Sequence, residues 1–338
     1  MNTYQRIVLA SRPQGEVQPS NFRLETVERP VLQAGDILVR NHFLSLDPYM
    51  RGRMSAGKSY ADPQPLDAPM IGGTVGEIIE SKSAQFKVGE FVQAYGGWQT
   101  LSLLTPEAQT LVTRIADTTI PLSAYLGVLG MPGQTAWIGL TDILKARAGE
   151  TVVVSAASGA VGSVVGQLAK LRGCRVVGIA GGAQKCRHVT ETLKFDACLD
   201  YRQYPDYKRL ASALAELAPK GVDAYFDNVG GLILDGVLEH MNAFGRVAVC
   251  GMISGYNGEP IPMANPLVIL RSRLSITGFI VFEHRDRIPM AQAELVSHVK
   301  SQRIVTAETV AQALEAAPEA FIGLLKGKNL GKQLVSLI

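Results

Sequence analysis

The chain is poor in cysteine, close to neutral and without a long apolar run. Its 338 residues hold four cysteines, Cys174, Cys186, Cys198 and Cys250, and no two stand within four positions of each other. Zinc ribbons and knuckles need ligand pairs two to four residues apart, so that class is excluded. Cys174 and Cys250 adjoin Val176-Val177 and Val247-Ala248-Val249, which reads as small buried side chains; no metal site is expected. The net charge is only +3 and the basic residues are scattered, which argues against a nucleic-acid surface. No uninterrupted apolar segment approaches the roughly 20 residues of a membrane helix. Met1–Arg6 carries no charged-then-apolar leader, and the cytoplasm is the expected address. Internal repeats and low-complexity tracts are absent, and the 34 glycines point to many tight turns.

What is present centres on Ala156-Ala157-Ser158-Gly159-Ala160-Val161-Gly162. The β-branched run Thr151–Val154 precedes it and a helical pattern, Val164, Val165, Leu168, Ala169, Leu171, follows. Strand, glycine turn and helix form the phosphate-cradling start of a dinucleotide site. The helix N-terminus offers unpaired N–H groups to a pyrophosphate. Gly159 would let the backbone approach the phosphates, and Gly162 would let helix and strand pack closely. Ala157 replaces the first glycine of G-x-G-x-x-G; a purely structural strand–helix turn is the competing reading.

Before this unit the text is short strands and turns: Ile7–Leu9, Asp36–Leu46, Ile71–Ile79, Glu90–Tyr95 and Trp98–Leu103. Glycine punctuation between them suggests a small, partly open barrel or sandwich. Pro48 is expected to end the second strand and put Tyr49 on a turn, as a functional residue or as a packing one, with Arg51 a surface charge. His42 reads as a strand residue. Helical text begins near Ser123, and Met131-Pro132-Gly133 is either a cleft lining or a hinge. The expected division is 1–122 for the first part of a barrel domain, 123–300 for a nucleotide-binding domain, and 301–338 for a segment rejoining the barrel.

Past the glycine turn the α/β alternation continues. Arg175–Ala180 is the next strand, and its end lacks the carboxylate that an NAD ribose would use. Lys185 and Arg187 stand there instead, and cations suit a 2′-phosphate; two solvated basic residues are the plainer alternative. Val222–Asp227 and Gly245–Cys250 read as strands, with helices over Ala211–Leu217 and Leu234–Met241. Ligands of open parallel sheets bind beyond the strand carboxyl ends, which places Asn228, Gly251 and Tyr256 beside a cofactor. Ser275–Val281 reads as the last strand of this part. Val310, Ala313, Leu314, Ala317, Phe321, Leu324 and Leu325 read as an amphipathic helix, and Gln333–Ile338 as a closing strand.

Six strings in order then resemble one family: DPYMR at 47–51, GMPGQTA at 130–136, SAASGAVGSVVGQLAK at 155–170, FDNVGG at 226–231, CGMISGYN at 250–257 and GKNLGK at 327–332. Together they resemble the zinc-independent medium-chain dehydrogenases/reductases, nearest the prostaglandin reductase, leukotriene 12-hydroxydehydrogenase, plant double-bond reductase and bacterial curcumin reductase group. A zinc alcohol dehydrogenase would carry a His-Glu pair near Gly72–Gly76 and a metal-binding cysteine after the earlier strand; neither is in the sequence. The resemblance implies a GroES-like β-barrel catalytic domain plus a Rossmann doubly wound sheet, and a homodimer. It implies pyrophosphate contacts from Ala157, Ser158, Gly159, Ala160, Val161 and Gly162, and a 2′-phosphate held by Lys185 and Tyr201. It further implies that Asn228, Cys250, Gly251, Met252, Ile253, Ser254 and Tyr256 line the adenosine and nicotinamide path. Phe279, Ile280 and Val281 would flank the nicotinamide, Asn329 would reach the cofactor from the tail, and Tyr49 and Tyr256 would stand near the substrate carbonyl. Lys194 and Arg202 stand where the family often has glycine and lysine. Ser55–Ala68 and Glu283–Pro289 match nothing clear, so the substrate is not specified.

The expected chemistry is NADPH-dependent reduction of the carbon–carbon double bond of an α,β-unsaturated ketone or aldehyde. Hydride adds at the β-carbon and charge moves to the carbonyl oxygen. Without a metal, a neutral donor must meet that charge, and a tyrosine hydroxyl stays protonated at neutral pH. Tyr256 is the expected donor and Tyr49 its assistant; solvent or the cofactor ribose could deliver the proton instead. Quinone reduction, secondary-alcohol oxidation and non-catalytic NADPH binding are the other functions the sequence admits.

Overall fold

The computed structural model describes residues 2–107, 111–258 and 260–338. They form two compact units: Met1–Leu126 with Glu308–Asn329 and Gln333–Ile338, and Gly127–Ala307 with Leu330–Lys332.

In the first unit, β1 (Thr3–Leu9) and β2 (Phe22–Glu28) pair antiparallel as a two-stranded ribbon. The main sheet is built on β3 (Ile37–Ser45), β4 (Thr74–Ser81), β5 (Phe91–Ala94), β6 (Leu101–Leu104) and β7 (Thr113–Arg114). After six strands of the second unit the chain returns with β14 (Glu308–Gln312) and β15 (Lys332–Ser336). The order is β14-β15-β3-β4-β5-β7, with β6 also on β3. Two register shifts against β4, at Leu38/Val39 and Asn41/Phe43, bend β3. Its first half, Ile37–Arg40, takes β6, and its second half, Phe43–Ser45, takes β15. One strand with three partners curls the sheet toward closure: this is the GroES-like barrel. Phe22 stacks on Trp98 at 5.3 Å and Phe321 meets Trp98 edge-on at 5.7 Å, filling one of its cores.

The second unit holds β8 (Thr151–Ser155), β9 (Arg175–Ala180), β10 (Ala197–Asp200), β11 (Val222–Asp227), β12 (Met241–Val249) and β13 (Ser275–Gly278). All pairs are parallel and the order is β10-β9-β8-β11-β12-β13. That is the Rossmann arrangement, and the order reverses between β8 and β11. Every residue of β8 is buried, which is why it reads as a continuous apolar run rather than an alternation. The helix Gly162–Leu171 lies so close that a Cβ on Gly166 would fall 1.8 Å from the Phe195 ring.

Several expectations are corrected. Tyr49 is not on a turn: Pro48 has helical φ and ψ and starts the short helix Tyr49–Arg53, as proline does readily at a helix start. Arg51 is not a surface charge but 3 % exposed, donating to Gly15 O and Ser55 Oγ. The helix expected over 234–241 runs Gly231–Glu239, and Met241 already opens β12. β13 stops at Gly278, and Val281–Glu283 is a 3₁₀ turn. The expected helix from Val310 is two elements: Glu308–Gln312 is a strand with alternating exposure, Ala313 at φ +65 turns the chain, and the helix is Ala317–Leu325. The strand β2 and the helix Ile288–Lys300 were not foreseen. Lys194, where the family often has glycine, is left-handed at φ +61.

Candidate functional site

The phosphate turn leaves β8 through Ala156, a left-handed alanine at φ +48. Ala157 N–H then donates to Ile179 O at 3.1 Å and Gly159 N–H to Ala156 O at 2.9 Å. Ala157 is fully buried, and a Cβ on Gly178 would stand 2.8 Å from the Ala157 methyl. The glycine missing at position 157 is thus matched by one on the neighbouring strand. A Cβ on Gly162 would lie 2.4 Å from Ala156 O, so this position must be glycine for the turn to close. Above Gly159 a Cβ would meet only Ala156 O at 3.1 Å and its own methyl neighbour at 4.0 Å. Ser158, Ala160 and Val161 complete the turn, and the tail docks on it: Gly331 N–H donates to Ser158 O at 2.9 Å. Asn329 belongs to the other unit, two positions earlier in the chain, and is 8 % exposed.

At the end of β9, Gly182 adopts φ +98 and its N–H donates to Asp200 Oδ1 at 2.8 Å. A Cβ on Gly181 would lie 2.9 Å from the Tyr201 ring and 3.0 Å from Arg202 Nε. Lys185 is on the short helix Ala183–Arg187 just beyond. Burial and the nearby Arg202 cation push its pKa down. Lys185, Tyr201 and Arg202 therefore share one corner with two cations, while Arg187 is exposed. Arg202 was missed as a candidate; its signal was the substitution of one cation for another. Asp200 Oδ1 also accepts from Arg202 N–H at 3.2 Å, so this oxygen is committed to the backbone of the corner.

At the carboxyl ends of β11 and β12 the loops interlock. Asn228 Nδ2 donates to Ser155 O at 2.8 Å, and Asn228 N–H to Ser155 Oγ at 2.9 Å. Cys250 and Gly251 both donate their N–H to Asp227 O, at 2.8 and 3.2 Å. Burial and the Asp227 charge push the Cys250 thiol up to about 12, so it is a thiol rather than a thiolate at neutral pH. Ile253–Gly255 is a 3₁₀ turn that ends at Tyr256. The Tyr256 hydroxyl accepts from Met252 N–H at 3.4 Å, and a Cβ on Gly251 would lie 3.0 Å from it. Phe279 turns its ring inward, edge-on to Phe226 at 6.1 Å. Ile280 is half-buried and Val281 buried behind it.

In the first unit, Tyr49 lies in a small tyrosine-rich cup. Its hydroxyl is buried with no hydrogen-bond partner among the described residues. Burial, then the neighbouring Tyr95, Asp47 and Tyr60, hold its pKa well above the ordinary phenol value. Burial and the Asp47 charge likewise push Tyr95 up. Asp47 itself accepts from Ser45 Oγ. Tyr60, from the segment that matched nothing, was not foreseen; only folding brings it to Tyr49.

The donor set fits a phosphorylated dinucleotide: a turn that admits no Cβ at 162, and two cations around a glycine pair. No group of three or more His, Cys, Asp or Glu that could hold a metal ion occurs among the described residues, and no described helix is long and apolar enough to cross a membrane.

Comparison with known proteins gives matches along the whole chain. The family described as the N-terminal domain of oxidoreductase matches residues 5–112, and that described as zinc-binding dehydrogenase matches 160–297. The NADPH-dependent curcumin reductase of Escherichia coli is 45% identical over 98% of this chain and 96% of its own. The NADP⁺-dependent 2-alkenal reductase of Nicotiana tabacum is 42% identical over 89% of this chain and 87% of its own. The crystal structure of CurA from Vibrio vulnificus in complex with NADPH superposes with a TM-score of 0.92, at 43% identity, covering 99% of both chains.

Proposed function

We infer the reaction from one premise: this chain belongs to the family of the curcumin, 2-alkenal and prostaglandin reductases. It is an NADP-dependent oxidoreductase that reduces the carbon–carbon double bond of α,β-unsaturated ketones and aldehydes. The observation that carries this reading is full-length kinship with reductases of conjugated substrates.

Bound NADPH supplies the hydride for the β-carbon. The residues that would hold it are 157–162 at the pyrophosphate, and Lys185 and Tyr201, with Arg202, at the 2′-phosphate. Asn228, the 250–256 loop, Phe279, Ile280 and Val281 would line the remaining path. Phe279 has its ring packed on Phe226, so its contribution there would come from its backbone. As the β-carbon gains hydride, charge appears on the carbonyl oxygen, and a preorganised neutral donor lowers the barrier. Tyr256 is that donor. The hydrogen bond it accepts from Met252 N–H polarises its own O–H and fixes its ring. Tyr49 assists: burial holds its phenol protonated across the physiological range, and its hydroxyl, unpartnered among the described residues, is suited to a substrate oxygen.

The test is NADPH oxidation with a panel of enones and 2-alkenals. Tyr256→Phe is expected to lose ~10²-fold in kcat with little change in the KM for NADPH, and Tyr49→Phe to lose less. Near-normal turnover in both variants would overturn the donor assignment; no turnover of any panel member by the native enzyme would overturn the function itself.

Two further points complete the reading. We propose that the enzyme is a homodimer through the open edge of β13. The four cysteines are free, which suits a reducing compartment, and we place the enzyme in the cytoplasm.

A further inference from the structure

Asp227 is fully buried at the end of β11 and has an unusual division of labour between its two oxygens. Oδ1 accepts from Tyr225 Oη at 2.7 Å, Val229 N–H at 2.9 Å, Ser155 Oγ at 3.0 Å and Gly230 N–H at 3.1 Å. Oδ2 is buried and has no partner among the described residues. Four donors on one oxygen fix the carboxyl edge-on against the turn 228–230, where Gly230 and Gly231 take φ +73 and φ +55. That turn is in its own right an acceptor for the loop that carries Tyr256. Ile253 N–H donates to Asn228 O at 3.4 Å, and Ser254 N–H to Val229 O at 3.2 Å. Ser254 Oγ also donates to Val229 O, at 2.6 Å. Tyr256 N–H in turn donates to Ile253 O at 3.3 Å, and the phenol receives Met252 N–H. An unbroken ladder thus runs from Asp227 Oδ1, through two peptide N–H groups and their carbonyls, to the phenol.

We propose that Asp227 is the positioning residue of the reaction: its Oδ1 sets the 228–230 turn, and that turn sets where the Tyr256 hydroxyl stands. The proposal rests on the reading of Tyr256 as donor above. Asp227 is fully buried, and its effect runs through the loop. A donor moved by about 1 Å costs up to ~10²-fold in rate, so the effect belongs in kcat. The acceptor atom, not the negative charge, is what the ladder uses.

Two measurements test this. In protein labelled with 3-fluorotyrosine, the Tyr256 resonance, assigned by its loss in Tyr256→Phe, reports the ring's position without substrate. Asp227→Ala is expected to shift or broaden it, while Asp227→Asn, which keeps an oxygen acceptor, leaves it near its native position. In steady-state kinetics Asp227→Ala lowers kcat by at least ~10-fold with NADPH affinity nearly kept, and Asp227→Asn recovers most of that loss. Combined with Tyr256→Phe, Asp227→Ala should cost almost nothing further, because the two act as one unit. Ser254→Ala, a surface change that folds safely, removes one rung and should shift the same resonance and lower kcat by less. An unmoved resonance in both Asp227→Ala and Ser254→Ala, or an equal loss of kcat in both tyrosine backgrounds, overturns the proposal. If Asp227→Ala does not fold, Ser254→Ala alone decides by the same criterion. A native enzyme inactive on enones would sink the functional reading while leaving the resonance test intact.

Discussion

At the scale of single residues, the phosphate turn is governed by where a methyl can and cannot fit. Ala157 departs from the glycine of the common fingerprint, and β9 absorbs it by presenting Gly178, where a Cβ would sit 2.8 Å from that methyl. Gly162 has no such relief. A Cβ there would lie 2.4 Å from Ala156 O and 3.0 Å from the Ala156 carbonyl carbon, and backbone cannot swing aside as a side chain can. Gly162→Ala must therefore push the helix off the turn. Overpacking of this kind costs about 1–3 kcal/mol, and the helix N-terminus that would face the pyrophosphate moves with it. The expected outcome is a lower unfolding midpoint and NADPH binding weakened by at least ~10-fold in a fluorescence titration. Native affinity in Gly162→Ala would mean that the pyrophosphate does not use this turn.

At the scale of elements, the corner made by Gly181-Gly182, the helix Ala183–Arg187 and the end of β10 is the proposed seat of cofactor choice. Two cations share it, and Asp200 beside them uses its Oδ1 on the backbone N–H groups of Gly182 and Arg202. Lys185→Ala and Arg202→Ala are each expected to raise the KM for NADPH while leaving that for NADH nearly unchanged. A uniform rise in both would place these side chains outside the 2′-phosphate site. The pH dependence has a definite sign. Lys185 has a lowered pKa, from burial first and Arg202 second. The charge that attracts phosphate is complete below that pKa and disappears as pH rises through it, earlier than for a solvated lysine. The preference for NADPH over NADH should thus fall on the alkaline side, and Lys185→Ala should lack that fall.

The same scale shows what a reader of the sequence could find. Parallel strands β8 and β9 were legible because burial on both faces makes them nearly continuous apolar runs. The strand Glu308–Gln312 was not, because Val310, Ala313, Leu314 and Ala317 fall at helical spacing by coincidence across two elements joined at a left-handed Ala313. The 13-residue helix Ile288–Lys300 buries only Ala291, Leu295 and His298, too thin a stripe to stand out. Within the candidate site, residues on sequence-local turns, 157–162 and 250–256, could be proposed from their strings. Tyr60, Arg202 and Asp227 could not, because their significance comes from neighbours that only the fold supplies.

At the scale of the molecule, the parallel sheet ends in β13, which pairs with no further strand among the described residues. β13 is four residues long, with Ser275, Thr277 and Gly278 exposed. The helix that precedes it, Leu267–Ser272, leaves Leu267 and Leu270 at 64% and 73% exposure. We propose that this strand edge and the two exposed leucines of the preceding helix form an association surface rather than a solvated rim. A second copy is the natural occupant: under two-fold symmetry β13 would pair with its own equivalent and each leucine would be buried twice. Burying one leucine contributes about 1.5–3 kcal/mol, so Leu267→Asp and Leu270→Asp, each counted in both copies, should weaken association by well over ~10²-fold. Light scattering is expected to give twice the chain mass for the native protein and the single chain mass for the double variant at micromolar concentration. A native monomer, or a double variant that still dimerises, would exclude this edge. Because β12, which carries the 250–256 loop, is the strand next to β13, the monomeric variant should also lose thermal stability in the sheet on which Tyr256 is mounted.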